Sequence, residues 1–100
     1  MTLVSEIDDA MLLDLVRSAV ATVLELPIET LYASTRLVDD VDADSLAMIE
    51  IVEIVEEELR AKGRDVWIDD QSLARLETLA DIGASAATAM AGADLTDSRT

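Results

Sequence analysis

The stretch SLAMIEIVEIVEEELR, from Ser45 to Arg60, constrains the fold more than any other part of the chain. Ile51, Val52, Val55 and Leu59 recur at three- and four-residue spacing, which puts them on one side of an α-helix roughly 24 Å long. Asp44 or Ser45 can cap its start, Arg60 and Lys62 suit the negative end of its dipole, and Gly63 stops it. Leu46 and Ile49 lie off the buried stripe, near the serine end. No alternating pattern anywhere in the chain asks for a sheet. A chain containing this helix must bury its one apolar side against other helices.

Those helices can be found on either side. Ser5 with Asp8 opens a first one, in which Leu12, Leu15, Val16, Ala19, Val20 and Val23 face inward while Asp14, Arg17 and Ser18 fall largely opposite. Pro27 disfavours helical geometry at Leu26, so this helix should stop near Leu24 or Glu25. Residues 26 to about 42 read as a long connection, with a helical turn around Glu29 to Tyr32 and with Leu31 and Leu37 pinning it across the helices. After the polar segment AKGRDVWIDD, Asp69 or Asp70 could cap a short helix through about Leu76, with Leu73 inward. Thr78 and Asp81 form a capping-box pattern for a last helix to about Met90, using Leu79, Ile82, Ala86 and Ala89 as its inner face. Gly83 weakens it by up to ~1 kcal/mol relative to alanine. From Gly92 onward the sequence reads as a disordered tail. The expected fold is all-α: a small bundle of three main helices plus one short one, in a domain over residues 1–91, with 92–100 as the tail. The length and the opening Met1 suggest a complete small protein.

Composition narrows the function. Half the residues are apolar, which argues against disorder, but only Tyr32 and Trp67 are aromatic, so the core is aliphatic. The net charge of −15 argues against nucleic acid and for partners with basic patches, an attraction screened beyond roughly 8 Å at physiological salt. With no Cys there is no disulfide or thiolate chemistry; with no His the commonest general base and metal ligand are missing. No basic segment precedes an apolar run at the start, and no apolar stretch reaches about 18 residues, so a cytoplasmic monomer without membrane insertion is expected.

Three constellations remain. Ser45 can be a plain helix cap; as a nucleophile it has no His to activate it and no glycine-rich elbow, so any chemistry on it needs another enzyme. Asp40, Asp42 and Asp44 resemble the start of a calcium loop. Counted from Asp40, however, Ser45 stands where the turn needs Gly, and Ile51 where a bidentate Glu belongs. The glutamates Glu50, Glu53, Glu56, Glu57 and Glu58 can be a solvated face. Yet no basic residue lies between Arg36 and Arg60 to offset their repulsion, which favours a protein-binding face.

The run DADSLAMIEIVEIVEEEL resembles the Asp-Ser-Leu motif and acidic recognition helix of the acyl carrier protein family. LELPIETL is similar to that family's turn after the first helix, STRLVDDVDADSL to its loop into the serine, and LETLADIGASA to the start of its last helix. Together these cover about Asp8 to Met90. The resemblance implies a non-enzymatic carrier. Ser45 would receive 4′-phosphopantetheine from coenzyme A through a magnesium-dependent phosphopantetheinyl transferase, and the arm's thiol would hold acyl groups as thioesters. Asp44 and Leu46 would border the attachment point. Leu46, Ile49, Glu50, Glu53 and Glu57 would face acyl-loading and acyl-processing enzymes with basic docking patches. An acyl chain could slip between the helices.

This chain departs from the family pattern at Asp42, where glycine is usual, at Glu53, where a fatty-acid carrier often has an apolar residue, and in AKGRDVW, which is longer and carries Trp67. These departures point toward polyketide, hybrid or other specialised biosynthesis rather than housekeeping fatty-acid synthesis. The alternative is a small acidic helical adaptor for a basic partner, with Ser45 only a cap.

Overall fold

The computed structural model of the chain describes residues 7–64, 66–68 and 70–99, and of these it describes 70, 72 and 91–99 by their backbone alone. Ser5 and Asp69, two of the expected caps, lie outside the described residues. In chain order the elements are α1 (Asp9–Leu24), a 3₁₀ turn (Ile28–Thr30), α2 (Ser45–Ala61), α3 (Asp70–Leu73) and α4 (Leu79–Arg99). Three main helices and one short one form the expected all-α fold.

Each boundary has a local cause. Asp8 caps α1, its carboxylate accepting from the Met11 N–H at 2.9 Å. At the other end Glu25 adopts a left-handed conformation (φ 57°), and the N–H groups of Glu25 and Leu26 both reach the Ala21 carbonyl before Pro27 takes over. The 3₁₀ turn starts one residue earlier than the sequence suggested. Pro27 sets it up: its carbonyl accepts from both the backbone N–H and the hydroxyl of Thr30, at 3.1 and 2.7 Å. Gly63 ends α2 as expected, at φ 87°. There the Gly63 N–H meets the Arg60 carbonyl and the Arg64 N–H meets that of Leu59, a Schellman closure.

The core is aliphatic and is centred on Leu12, Val16 and Val20 of α1, Ile51, Val55 and Leu59 of α2, and Leu79, Ile82 and Ala86 of α4. α1 packs against both α2 and α4, while α2 and α4 touch each other far less. Leu31 and Leu37 of the connection are both fully buried in this core, as the sequence expected. Arg17 differs from expectation. Instead of pointing away with the polar face, it donates from Nε to the Leu31 carbonyl at 2.8 Å and from a terminal nitrogen to that of Ile28 at 3.0 Å, tying α1 to the connection.

Two ends are corrected. The short helix α3 stops at Leu73 rather than near Leu76, because residues 77 and 78 are drawn into pairing with the 33–37 segment and leave 74–76 as the link. Arg36 and Thr78 form an isolated antiparallel bridge, with the Leu37 N–H on the Glu77 carbonyl at 2.8 Å and the Leu79 N–H on that of Thr35 at 3.2 Å. α4, in turn, runs past Met90 to Arg99, so the backbone expected as a disordered tail from Gly92 is helical through Arg99. Gly92 costs a helix only about 1 kcal/mol relative to alanine, and Ala91 and Ala93 flank it.

Candidate functional site

The loop before α2 is built to deliver one residue. The Asp40 side chain accepts from the Arg36 N–H at 2.8 Å, and Asp39 pairs with the Arg36 guanidinium at 3.2 Å, closing a turn over 36–40. The chain then passes through Asp42 in the left-handed region, φ 61°. Aspartate is one of the few non-glycine residues that visits this region readily, which is how the chain manages without glycine there. Beyond it the Ala43 N–H returns to the Leu37 carbonyl at 2.7 Å, and Ala43 is buried. Buried Leu37 and Ala43 thus anchor both sides of the turn, and α2 starts two residues later.

Asp44, not Ser45, is the cap of α2. Its Oδ1 accepts from the Ala47 N–H at 2.8 Å, while Ser45 is the first helical residue. The Ser45 side chain is exposed and makes no hydrogen bond to a described residue. The reading of Ser45 as only a helix cap is therefore corrected: that task belongs to its neighbour, and the hydroxyl is left to solvent. The chain has no histidine, the commonest general base, to set beside this hydroxyl.

Beside Ser45 opens a cleft of about 400 Å³, walled by Val38 and Ala43 of the loop, Met48 and Ile49 of α2, and Leu73 and Leu76 from and after α3. The sequence sets Ile49 near the serine end, on the face toward partners, but gives Val38, Met48 and Leu76 no place at the site. Val38 could have been suspected, as an apolar residue in a polar loop; the others needed the fold. A second hollow of about 250 Å³, between α1 and α4 at Leu12, Leu13 and Gly83, shares no residue with it.

Along α2, Leu46 (65% exposed) and Ile49 (41%) are followed by exposed Glu50, Glu53 and Glu57, all on the side away from the core. Glu56 does not belong with them. It is 8% exposed and its Oε2 accepts from the Ile68 N–H at 2.6 Å, so the acidic face has one member fewer than the sequence suggested. Of the three aspartates that suggested calcium, Asp40 and Asp44 each place an oxygen on a backbone N–H. Among the described residues no group of three or more acidic side chains is arranged to hold a metal ion.

An exposed hydroxyl at the first residue of a capped helix, beside an apolar cleft and above an acidic helical face, suits a covalently attached prosthetic group. The family defined by the phosphopantetheine attachment site matches residues 14–86, and the chain belongs to it. Within it the chain is a member of the acyl carrier proteins: over 70 residues it is 34% identical to acyl carrier protein 3 of Ralstonia nicotianae (strain ATCC BAA-1114 / GMI1000), a match spanning 70% of this chain and 75% of that one. It is a carrier and not a catalyst, and its prosthetic group is 4′-phosphopantetheine. Such carriers work with a phosphopantetheinyl transferase and with acyl-processing enzymes. Among the described residues no helix is long and apolar enough to cross a membrane.

Proposed function

We propose that Ser45 is the residue that carries the 4′-phosphopantetheine arm. The observation that carries this reading is the division of labour at the start of α2: Asp44 caps the helix and leaves the Ser45 hydroxyl exposed and without a described partner. When bound, the arm supplies the thiol that a chain without cysteine lacks. Asp44 and Leu46 flank the attachment point. Val38, Ile49 and Met48 give an apolar wall along which a bound acyl chain can leave water.

Leu46, Ile49, Glu50, Glu53 and Glu57 form the face toward partner enzymes. The two apolar residues lie nearest Ser45, and the carboxylates steer basic patches toward it. The polar character that Glu53 adds supports service in polyketide, hybrid or other specialised biosynthesis rather than in housekeeping fatty-acid synthesis. On this reading the protein acts as a cytoplasmic monomer whose carrier domain spans residues 1–91.

The test is modification in vitro. Incubation with coenzyme A, magnesium and a broad-specificity phosphopantetheinyl transferase should add one phosphopantetheine group to the wild-type chain and none to Ser45→Ala. Modification that persists in Ser45→Ala would refute the assignment.

A further inference from the structure

The loop after α2 holds a large aromatic side chain in solvent. Val66 and Ile68 are buried, and the extended alternation between them turns Trp67 outward, where it is 69% exposed. This placement is fastened on three sides. Glu56 accepts from the Ile68 N–H, Arg60 donates to the Val66 carbonyl at 3.4 Å, and the Arg60 guanidinium lies 4.6 Å from the centre of the indole ring. A tryptophan fixed outward by buried neighbours on both sides is a contact surface rather than a loose end.

Its position gives it a direction. Leu46, Glu50, Glu53, Glu57 and Arg60 follow one another at spacings of three and four, so they form one row along α2. Arg60 and Trp67 stand at the far end of that row, roughly 22 Å from Ser45 at 1.5 Å per residue. The sign of charge changes there: of the seven basic residues in the chain, three fall between 60 and 64 (Arg60, Lys62 and Arg64). The exposed side of α2 is therefore acidic from Glu50 to Glu57 and then basic and aromatic.

We infer that Arg60, Lys62 and Trp67 form a second docking anchor, which takes an acidic patch on the phosphopantetheinyl transferase while basic side chains of the same enzyme meet Glu50, Glu53 and Glu57. A surface that reads both signs fits α2 in one direction only, because the reversed orientation sets like charges against each other. It thereby decides which end of the helix, and so which side of Ser45, faces the enzyme's active site. This rests on the reading of α2 as the docking face and of Ser45 as the acceptor.

The test measures KM and kcat for transfer from coenzyme A to the carrier, together with direct binding of the unmodified carrier to the transferase. Trp67→Ala and the double variant Arg60→Glu, Lys62→Glu should each raise KM and weaken binding about five- to tenfold with kcat nearly unchanged. Trp67→Phe should retain most of the affinity. Thermal unfolding followed by circular dichroism checks that the variants remain folded. Added negative charge would help any carrier that meets only basic surfaces, so tighter binding by Arg60→Glu, Lys62→Glu overturns the inference. So does an unchanged KM for Trp67→Ala on a wild-type chain that is modified normally at Ser45, a result that leaves the Ser45 assignment standing. Self-association of the carrier that is lost in Trp67→Ala would make a second copy the occupant and would likewise overturn it.

Discussion

Replacing Glu56 tests whether the loop that follows α2 is latched by a buried carboxylate. The side chain is 8% exposed and accepts from the Ile68 N–H at 2.6 Å, between Val66 and Ile68, which are themselves buried. Glu56→Ala leaves that N–H without its acceptor, at a cost of about 1–3 kcal/mol, and removes one packed methylene at about 0.8 kcal/mol. The expected loss is thus about 2–4 kcal/mol, a large part of the 5–15 kcal/mol typical of a domain. Glu56→Gln keeps an oxygen for the N–H and should lose only about 0.5–1.5 kcal/mol. Urea unfolding followed by circular dichroism measures both, and hydrogen exchange at the Ile68 amide reports the latch directly. Faster exchange there in Glu56→Ala than in Glu56→Gln is the expected pattern. If both variants lie within about 0.5 kcal/mol of wild type and the Ile68 amide is equally protected in all three, the latch does not exist as described.

Other substitutions probe the loop and the caps. Asp42→Gly should leave stability unchanged or raise it by up to about 1 kcal/mol, whereas Asp42→Val should cost about 1–2 kcal/mol, since only the first accepts φ 61° freely. Chemical denaturation decides between them. Asp44→Ala should cost about 1 kcal/mol through loss of the α2 cap, while Ser45→Ala should change stability by less than about 0.5 kcal/mol; equal losses would return the capping role to Ser45. At the start of α4 the Asp81 carboxylate is held below its ordinary pKa by the Glu77 and Thr78 N–H groups, with a smaller contribution from the Thr78 hydroxyl and against a modest opposing effect of burial. A lowered folded-state pKa means that Asp81 stabilises the fold above the unfolded value of about 3.9, and that this contribution is lost as pH falls through the folded pKa. The stability gap between wild type and Asp81→Ala should therefore be full at pH 7 and close on acidification below about pH 4.

Much of this was legible in the sequence because it is local. The stripe Ile51, Val52, Val55 and Leu59, the glycine that closes α2 and the Thr78–Asp81 box are each set by residues within a turn or two of one another. The long connection was readable through Leu31 and Leu37, since apolar residues in a polar loop have to go somewhere. Glu56 was misread by its type. Four residues after Val52 and three before Leu59, it stands on the buried side by spacing, but in a row of glutamates its charge spoke louder than its position. Arg17 misled in the same way, as a charged residue that works inward through backbone carbonyls. The Arg36–Thr78 bridge and the early end of α3 had no local signal, because they depend on two segments about 40 residues apart meeting across the bundle. At the site, the motif points to Ser45, but only the geometry separates its hydroxyl from the cap beside it.

The central claim is that one hydroxyl, at Ser45, carries the prosthetic group. Peptide mapping by tandem mass spectrometry of the chain after treatment with coenzyme A and a phosphopantetheinyl transferase tests it most directly. The expected result is a single phosphopantetheine group on the peptide containing Asp44-Ser45-Leu46, with fragment ions locating it on Ser45. A group found on any other serine or threonine, or a chain that stays unmodified while a known carrier in the same reaction is fully converted, would contradict it.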